Sequence, residues 1–190
     1  MPMKNRVCYL HFQSCRRSTG FTLAELLVTL AILGIIAALA VPGFSNAIAR
    51  ARVRDATENI HGLIIQAKNE SAIRDVNLSV TVQADHWCVG IASFPACDCT
   101  PDPETNACAL EVAGATVLQA VSGDEFPGVT ITENFPALGT TFNRLRKTAS
   151  PAGAIAISAS GQTLEIKVGL TGRVRVCAPE GSAFPGYPAC

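Results

Sequence analysis

The first strong pattern along the chain is an apolar run, FTLAELLVTLAILGIIAALAV, residues 21–41, broken by one charge, Glu25. As a helix it spans about 31 Å at roughly 1.5 Å per residue, which matches a bilayer core of roughly 30 Å. After Pro42 and Gly43 the pattern changes. Ala49, Val53, Ala56, Ile60, Leu63, Ile64 and Ala67 recur at helical spacing, with Arg50, Arg52, Arg54, Glu58 and Lys68 largely off that stripe. This predicts an amphipathic helix to about Arg74, continuous with the apolar run and weakest at Pro42. Beyond Asp75 the period becomes two. Val76, Leu78, Val80 and Val82 alternate with polar residues, as in a half-buried strand. Strand-like runs follow at 87–92, 110–121, 128–133, 139–146, 154–159, 163–168 and 173–177. They are separated by the turn signals FPACDCTPDPETNAC, SGDEFPG, NFPALG, SPAG and SGQ. The predicted class is α+β: a spine helix, 21–74, packed on an antiparallel β head, 75–190.

Charge gives the first run a direction. Arg16 and Arg17 lie just before it, which places residue 16 on the cytoplasmic side and the head outside. A carboxylate inside a membrane span costs about 2.5–3.5 kcal/mol on insertion scales, so Glu25 needs a partner. No basic residue lies between Arg17 and Arg50. A cut after Gly20 would supply one, because Phe21 would then carry a cationic amine for Glu25 of a neighbouring subunit.

RRSTG followed by FTLAELLVTL resembles the prepilin signal of type IV pilins and type II secretion pseudopilins. The matching residues are Gly20 before the cut, Phe21 after it and Glu25. The resemblance implies a leader at 1–20 and a prepilin peptidase that cleaves after Gly20 and methylates Phe21. It also implies a single inner-membrane span at about 21–41 before assembly, and assembly with other pilins into an extracellular filament. The leader is longer than most. An ordinary secretory signal cut after Ala38-Leu39-Ala40, or a plain membrane anchor, leaves Glu25 unexplained.

That topology changes the reading of the eight cysteines. Cys8 and Cys15 leave with the leader. Cys88, Cys97, Cys99, Cys108, Cys177 and Cys190 remain, an even number in an oxidising compartment, which predicts disulfides with open connectivity. Cys177 with Cys190 would close the tail APEGSAFPGYPA. Cys97 or Cys99 with Cys108 would close the acidic loop. The spacing does not match structural zinc, and Asp98, Asp102 and Glu104 read as a solvated acidic loop rather than a calcium site. His61 and His86 read as packing or surface residues. Neither cofactor nor enzyme activity is expected, since no nucleophile–base pair or metal constellation stands out.

The net charge of zero hides a segregation. From Phe21 onward there are 11 Lys/Arg, the 15 of the chain less Lys4, Arg6, Arg16 and Arg17, against 15 Asp/Glu. Yet residues 140–176 carry Arg144, Arg146, Lys147, Lys167, Arg173 and Arg175 against Glu165 alone. Leu164, Ile166 and Val168 should share a buried face with Val174 and Val176. That requires Val168 opposite Val174, a Leu170-Thr171-Gly172 loop with Gly172 free to take positive φ, and Lys167 opposite Arg175 on the outer face. Like charges directly opposed destabilise a sheet, so an anion is expected there. Two residues along a strand span about 6.6 Å, close to the spacing of successive phosphates. A strand followed by GLTGRVRVC resembles the ending of the GspH/FimT/FimU group of minor pilins and pseudopilins. In its FimT members a Gly-Arg-x-Arg motif contacts DNA in natural transformation. Gly172, Arg173 and Arg175 match that motif, with Lys167, Arg144, Arg146 and Lys147 as expected assistants. A pilus-tip priming or adaptor subunit, or a type II secretion pseudopilin of the GspH type, is the alternative.

Overall fold

The computed structural model describes residues 21–99, 106–112, 114–182 and 184–190. The leader with Gly20, the acidic residues Asp102 and Glu104, and the side chains of 39–43 lie outside the described residues. The chain divides into two compact units, residues 1–41 and 42–190. Helix α1, Leu23–Ile73, contributes to both.

In the first unit Leu23, Leu26, Leu27, Val28, Leu30, Ile32, Leu33, Ile35 and Ile36 are each more than half exposed. A helix apolar on all sides has no aqueous solution of its own and must be covered by lipid or protein. Among the described residues no helix is long and apolar enough to cross a membrane. The expected span, 21–41, extends over side chains outside that description.

In the second unit the stripe read from sequence is buried throughout: Ala49, Val53, Ala56, Ile60, Leu63, Ile64 and Ala67. It joins one core with residues of two antiparallel sheets. The first sheet contains β1 (Leu78–Gln83), β2 (Cys88–Ala92), β5 (Ala120–Ser122), β7 (Gly139–Phe142) and β8 (Ala149–Ser150), in the order β5-β2-β1-β7-β8. The second contains β6 (Thr130–Glu133), β9 (Gly153–Ala159), β10 (Gln162–Val168) and β11 (Val174–Cys177), in the order β11-β10-β9-β6. A separate hairpin pairs β3 (Ala109–Val112) with β4 (Ala115–Leu118). The α+β class with a spine helix on an antiparallel head is therefore what the structure has.

Four local expectations are corrected. Val76 is exposed and precedes the strand, and β1 is buried on both faces rather than one. Its polar face is covered by the cysteine loop: Thr81 Oγ1 accepts from the Cys97 N–H (3.1 Å) and Gln83 Nε2 donates to the Cys97 carbonyl (3.2 Å). The run 110–121 is three strands, because the chain reverses at Gly114 (φ 81°). It then leaves the hairpin at Gln119, whose carbonyl accepts from Ile91 N–H (2.9 Å). The run 139–146 ends at Phe142, where Asn143 Oδ1 accepts from Leu145 and Arg146 N–H (3.0 and 2.9 Å) and turns the chain. The short β8 was not expected at all.

All six cysteines of the head pair: Cys88 with Cys99, Cys97 with Cys108, and Cys177 with Cys190. The first two staple the loop that covers β1. The third closes the tail over β11, as expected. Phe184 is buried in the core, and Tyr187 Oη lies 3.2 Å from Glu58 Oε1 of α1 with Arg54 against its ring.

His61 is half-buried on α1, and desolvation holds its pKa below the usual value of 6.5. The unfolded chain regains the ordinary proton affinity, so stability is full above about 6.5 and falls as pH drops through that value. Urea midpoints measured across this range should therefore decline on acidification, and His61→Gln should remove part of that decline.

Candidate functional site

The β10–β11 hairpin has the register that its sequence parity requires. Val168 pairs with Val174, Lys167 with Arg175, and Ile166 with Val176. Leu164, Ile166 and Val168 are buried, and Val174 and Val176 pack against the same core. Gly169 N–H donates to Arg173 O (2.9 Å) and Gly172 N–H to Gly169 O (2.8 Å), which leaves 170–172 as the loop, with Gly172 at φ 72°.

Gly172 has a second constraint. A Cβ there would lie 2.1 Å from the Lys147 carbonyl oxygen. Ala149 N–H donates to Leu170 O (3.1 Å). The loop of the hairpin therefore rests directly on the turn that carries Arg144, Arg146 and Lys147. Two segments far apart in sequence form one basic end of the head, with Leu145 and Leu170 exposed between the cations.

The cations are not equivalent. Arg144 is tied to Asp75 by an ion pair (2.8 Å) and also donates to the Asp75 carbonyl (3.2 Å). Lys167 pairs with Glu165 two residues earlier on the same strand (3.3 Å). Each of these two has an acidic neighbour in its own chain, because Asp75 begins the connection to β1 and Glu165 shares the outer face of β10. Arg146, Lys147, Arg173 and Arg175 form no ion pair among the described residues, and all four are exposed.

The outer face beside the arginines is hollow. Sequence reading missed this because it depends on the neighbouring strand. Lys167 pairs on its other side with Ala154 of β9. At Ala154 the departing β6 chain is held by Asn134, whose N–H donates to Ala154 O (3.1 Å) and whose Oδ1 accepts from Ala154 N–H (2.6 Å). The row Arg175–Lys167–Ala154–Asn134 thus crosses the sheet. At about 4.8 Å per strand, Lys167 and Asn134 stand about 10 Å apart at their Cα atoms. Only a methyl group fills the floor between them. The resulting trough, about 690 Å³, is bounded by Lys167, Arg173 and Arg175 on one side and Asn134 and Pro136 on the other. A neighbouring hollow carries Glu133 and Glu165. The Ser160-Gly161 turn between Ala159 and Gln162 would have fixed this register from sequence alone.

Glu165 also lies 3.6 Å from Cys190 Sγ. That sulfur is in a disulfide and carries no proton, so the approach is a contact rather than a hydrogen bond.

At the other end of the chain, Phe21 is exposed, and Thr22 Oγ1 accepts from the Glu25 N–H (3.2 Å) at the start of α1. Thr22 and Glu25 have the spacing of a capping box, with the carboxylate in the positive first turn. The N-terminal placement of Glu25 on α1 is a feature the sequence reading did not consider.

Residues 15–41 match the prokaryotic N-terminal methylation motif. The chain carries the prepilin signature of type IV pilins and pseudopilins. Curated proteins similar to this chain include the type IV major pilin PilE1 of Neisseria gonorrhoeae, 35% identical over 79 residues, which is 42% of this chain and 34% of that protein. PilA, the type IV major pilin of Myxococcus xanthus, is 39% identical over 59 residues, 31% of this chain and 27% of its own length. The chain thus spans about a third or less of these relatives. Among solved structures, the minor pseudopilin EpsH from the type 2 secretion system of Vibrio cholerae aligns over 67% of this chain and 97% of its own (8% identity, TM-score 0.47). The type IV minor pilin FimU of Pseudomonas aeruginosa aligns over 67% and 89% (15% identity, TM-score 0.47). Likeness at that level carries no argument about what the chain does.

The contact at Gly172 separates two effects of glycine. Gly181 also has positive φ (84°) but open space at its Cβ position. Gly181→Ala should cost about 1 kcal/mol, the lower end of left-handed backbone strain, while Gly172→Ala should exceed it by about 2 kcal/mol or more because the Lys147 turn must move. Thermal melts of the two variants beside the parent check this.

Proposed function

We propose that the chain is a minor pilin that captures extracellular DNA through Arg173 and Arg175. In this reading it is made with a leader that a prepilin peptidase removes after Gly20. Phe21 is methylated, residues 21–41 hold the chain in the inner membrane, and the subunit then joins other pilins in an extracellular filament. Glu25 meets the amine of a neighbouring Phe21 during assembly. The methylation motif and the exposed apolar helix support the membrane and filament steps.

The observation that carries the DNA reading is the pair Lys167 and Arg175, directly opposed on the outer face and joined by Arg173 at the hairpin loop. Glu165 offsets the Lys167 charge, so the unsatisfied cations are Arg175 opposite it and Arg173 at the loop, which form no ion pair among the described residues and are open to an added anion. Arg146 and Lys147 extend the basic surface through the contact at Gly172. Binding of this kind engages phosphates, not base edges, and is independent of sequence. Each phosphate neutralised lowers the slope of log K against log salt by about 0.9 on duplex DNA.

The acidic flank at Glu133 and Glu165 favours a second reading, in which the mixed-charge surface docks on a neighbouring subunit of a pilus tip or of a type II secretion pseudopilus.

Gel-shift titrations of the full chain in detergent distinguish the two. The parent should retard duplex DNA of any sequence and release it as salt rises. Arg173→Ala with Arg175→Ala should abolish most binding, and unchanged retardation by that double variant would remove the DNA reading. In cells the same variant should lose transformation with normal pilus numbers. Loss of pili would instead support the docking reading.

A further inference from the structure

We propose that the DNA site is the whole trough across β11, β10 and β9, not the arginine edge alone: one backbone phosphate seats over Ala154, with Lys167 and Arg175 on one side and the Asn134 amide on the other. This rests on the DNA-binding reading above.

Three observations place the phosphate there. The first is the floor. Ala154 stands in register between Lys167 and the Asn134 position, so a methyl group separates two tall walls. The gap between those walls, about 10 Å at Cα, admits a phosphate with its hydrogen-bond partners on either side.

The second is the orientation of Asn134. Its Oδ1 is committed to the Ala154 N–H. The amide can accept there only through oxygen, which fixes the other end of the side chain as the Nδ2 donor. The residue is exposed and borders the trough, so that donor is available to an acceptor within it. A phosphate oxygen accepts from a neutral amide and from cations alike.

The third is the boundary. Beyond Ala154 the outer face reaches Ala156, opposite Glu165 on one strand and Thr132 on the other, with Glu133 alongside. A polyanion cannot continue along β9 into those carboxylates. It must cross the sheet near the hairpin loop, entering past Arg173 and leaving past Asn134. Each head therefore neutralises few phosphates.

The test uses the full chain in detergent and a short fluorescein-labelled duplex, followed by anisotropy across a salt series. Ala154→Leu removes no charge. If a phosphate seats over Ala154, this variant should nonetheless flatten the slope of log K against log salt by about 0.9, the share of one phosphate. Asn134→Asp keeps the oxygen that accepts from Ala154 N–H but replaces the donor with a carboxylate, and should weaken binding about tenfold or more, the scale of one charge-assisted hydrogen bond. Where Ala154→Leu melts early, the near-isosteric Asn134→Asp decides. Parent-like affinity and slope in both variants, with loss in Arg173→Ala/Arg175→Ala, would overturn the trough and leave the arginine edge standing. A parent chain that does not bind the duplex would overturn the DNA reading itself.

Discussion

The register of β10 against β11 is the constraint from which the rest of the site follows. Leu164, Ile166 and Val168 are buried in the core shared with α1. A slip of one residue would bring Lys167 and Glu165 to that face and turn Ile166 to water. Burial of a charge without full compensation costs several kcal/mol, so the slip is closed to this sequence. Once Ile166 is inside, Lys167 is outside. Once Val168 meets Val174, Arg175 stands opposite Lys167. The cations are thus held together by the apolar residues between them.

The same core sets where the site can be. The stripe of α1 touches both sheets, and the basic end arises where the hairpin loop of the second sheet rests on the turn after β7 of the first. Gly172 is the point of contact. In the Gly-Arg-x-Arg sequence its role is structural: the backbone approaches another backbone too closely for any side chain. The arginines then project from a joint between sheets, not from a free strand end.

Much of this was legible in the sequence, for definite reasons. The α1 stripe and the hairpin parity are local periodicities, and residue spacing alone determines them. The tail disulfide could be read because Cys177 and Cys190 flank one short segment. What could not be read depends on residues brought together from a distance. The polar face of β1 looks solvated until the cysteine loop is laid over Thr81 and Gln83. Arg144 looks free until Asp75 is found beside it, and Lys167 until the outer face of β10 is seen to hold Glu165 as well. The far wall of the trough is the clearest case. Asn134 was read only as part of a turn, and its relation to Lys167 passes through the register of a third strand.

The covalent clasp between Cys177 and Cys190 has a mechanical consequence. A pull applied at the 170–172 loop would enter the head through β11. Force on Arg173 and Arg175 runs down β11 and loads its ladder with β10 in shear, so the hydrogen bonds share the strain. The bridge at Cys177 then ties the far end of that strand to a tail held by Tyr187 against Glu58 of α1 and by Phe184 in the core. The edge strand is thereby fastened at its last ladder pair, Cys177 with Glu165, and a tug at the loop is carried into the tail before it can peel the edge of the sheet.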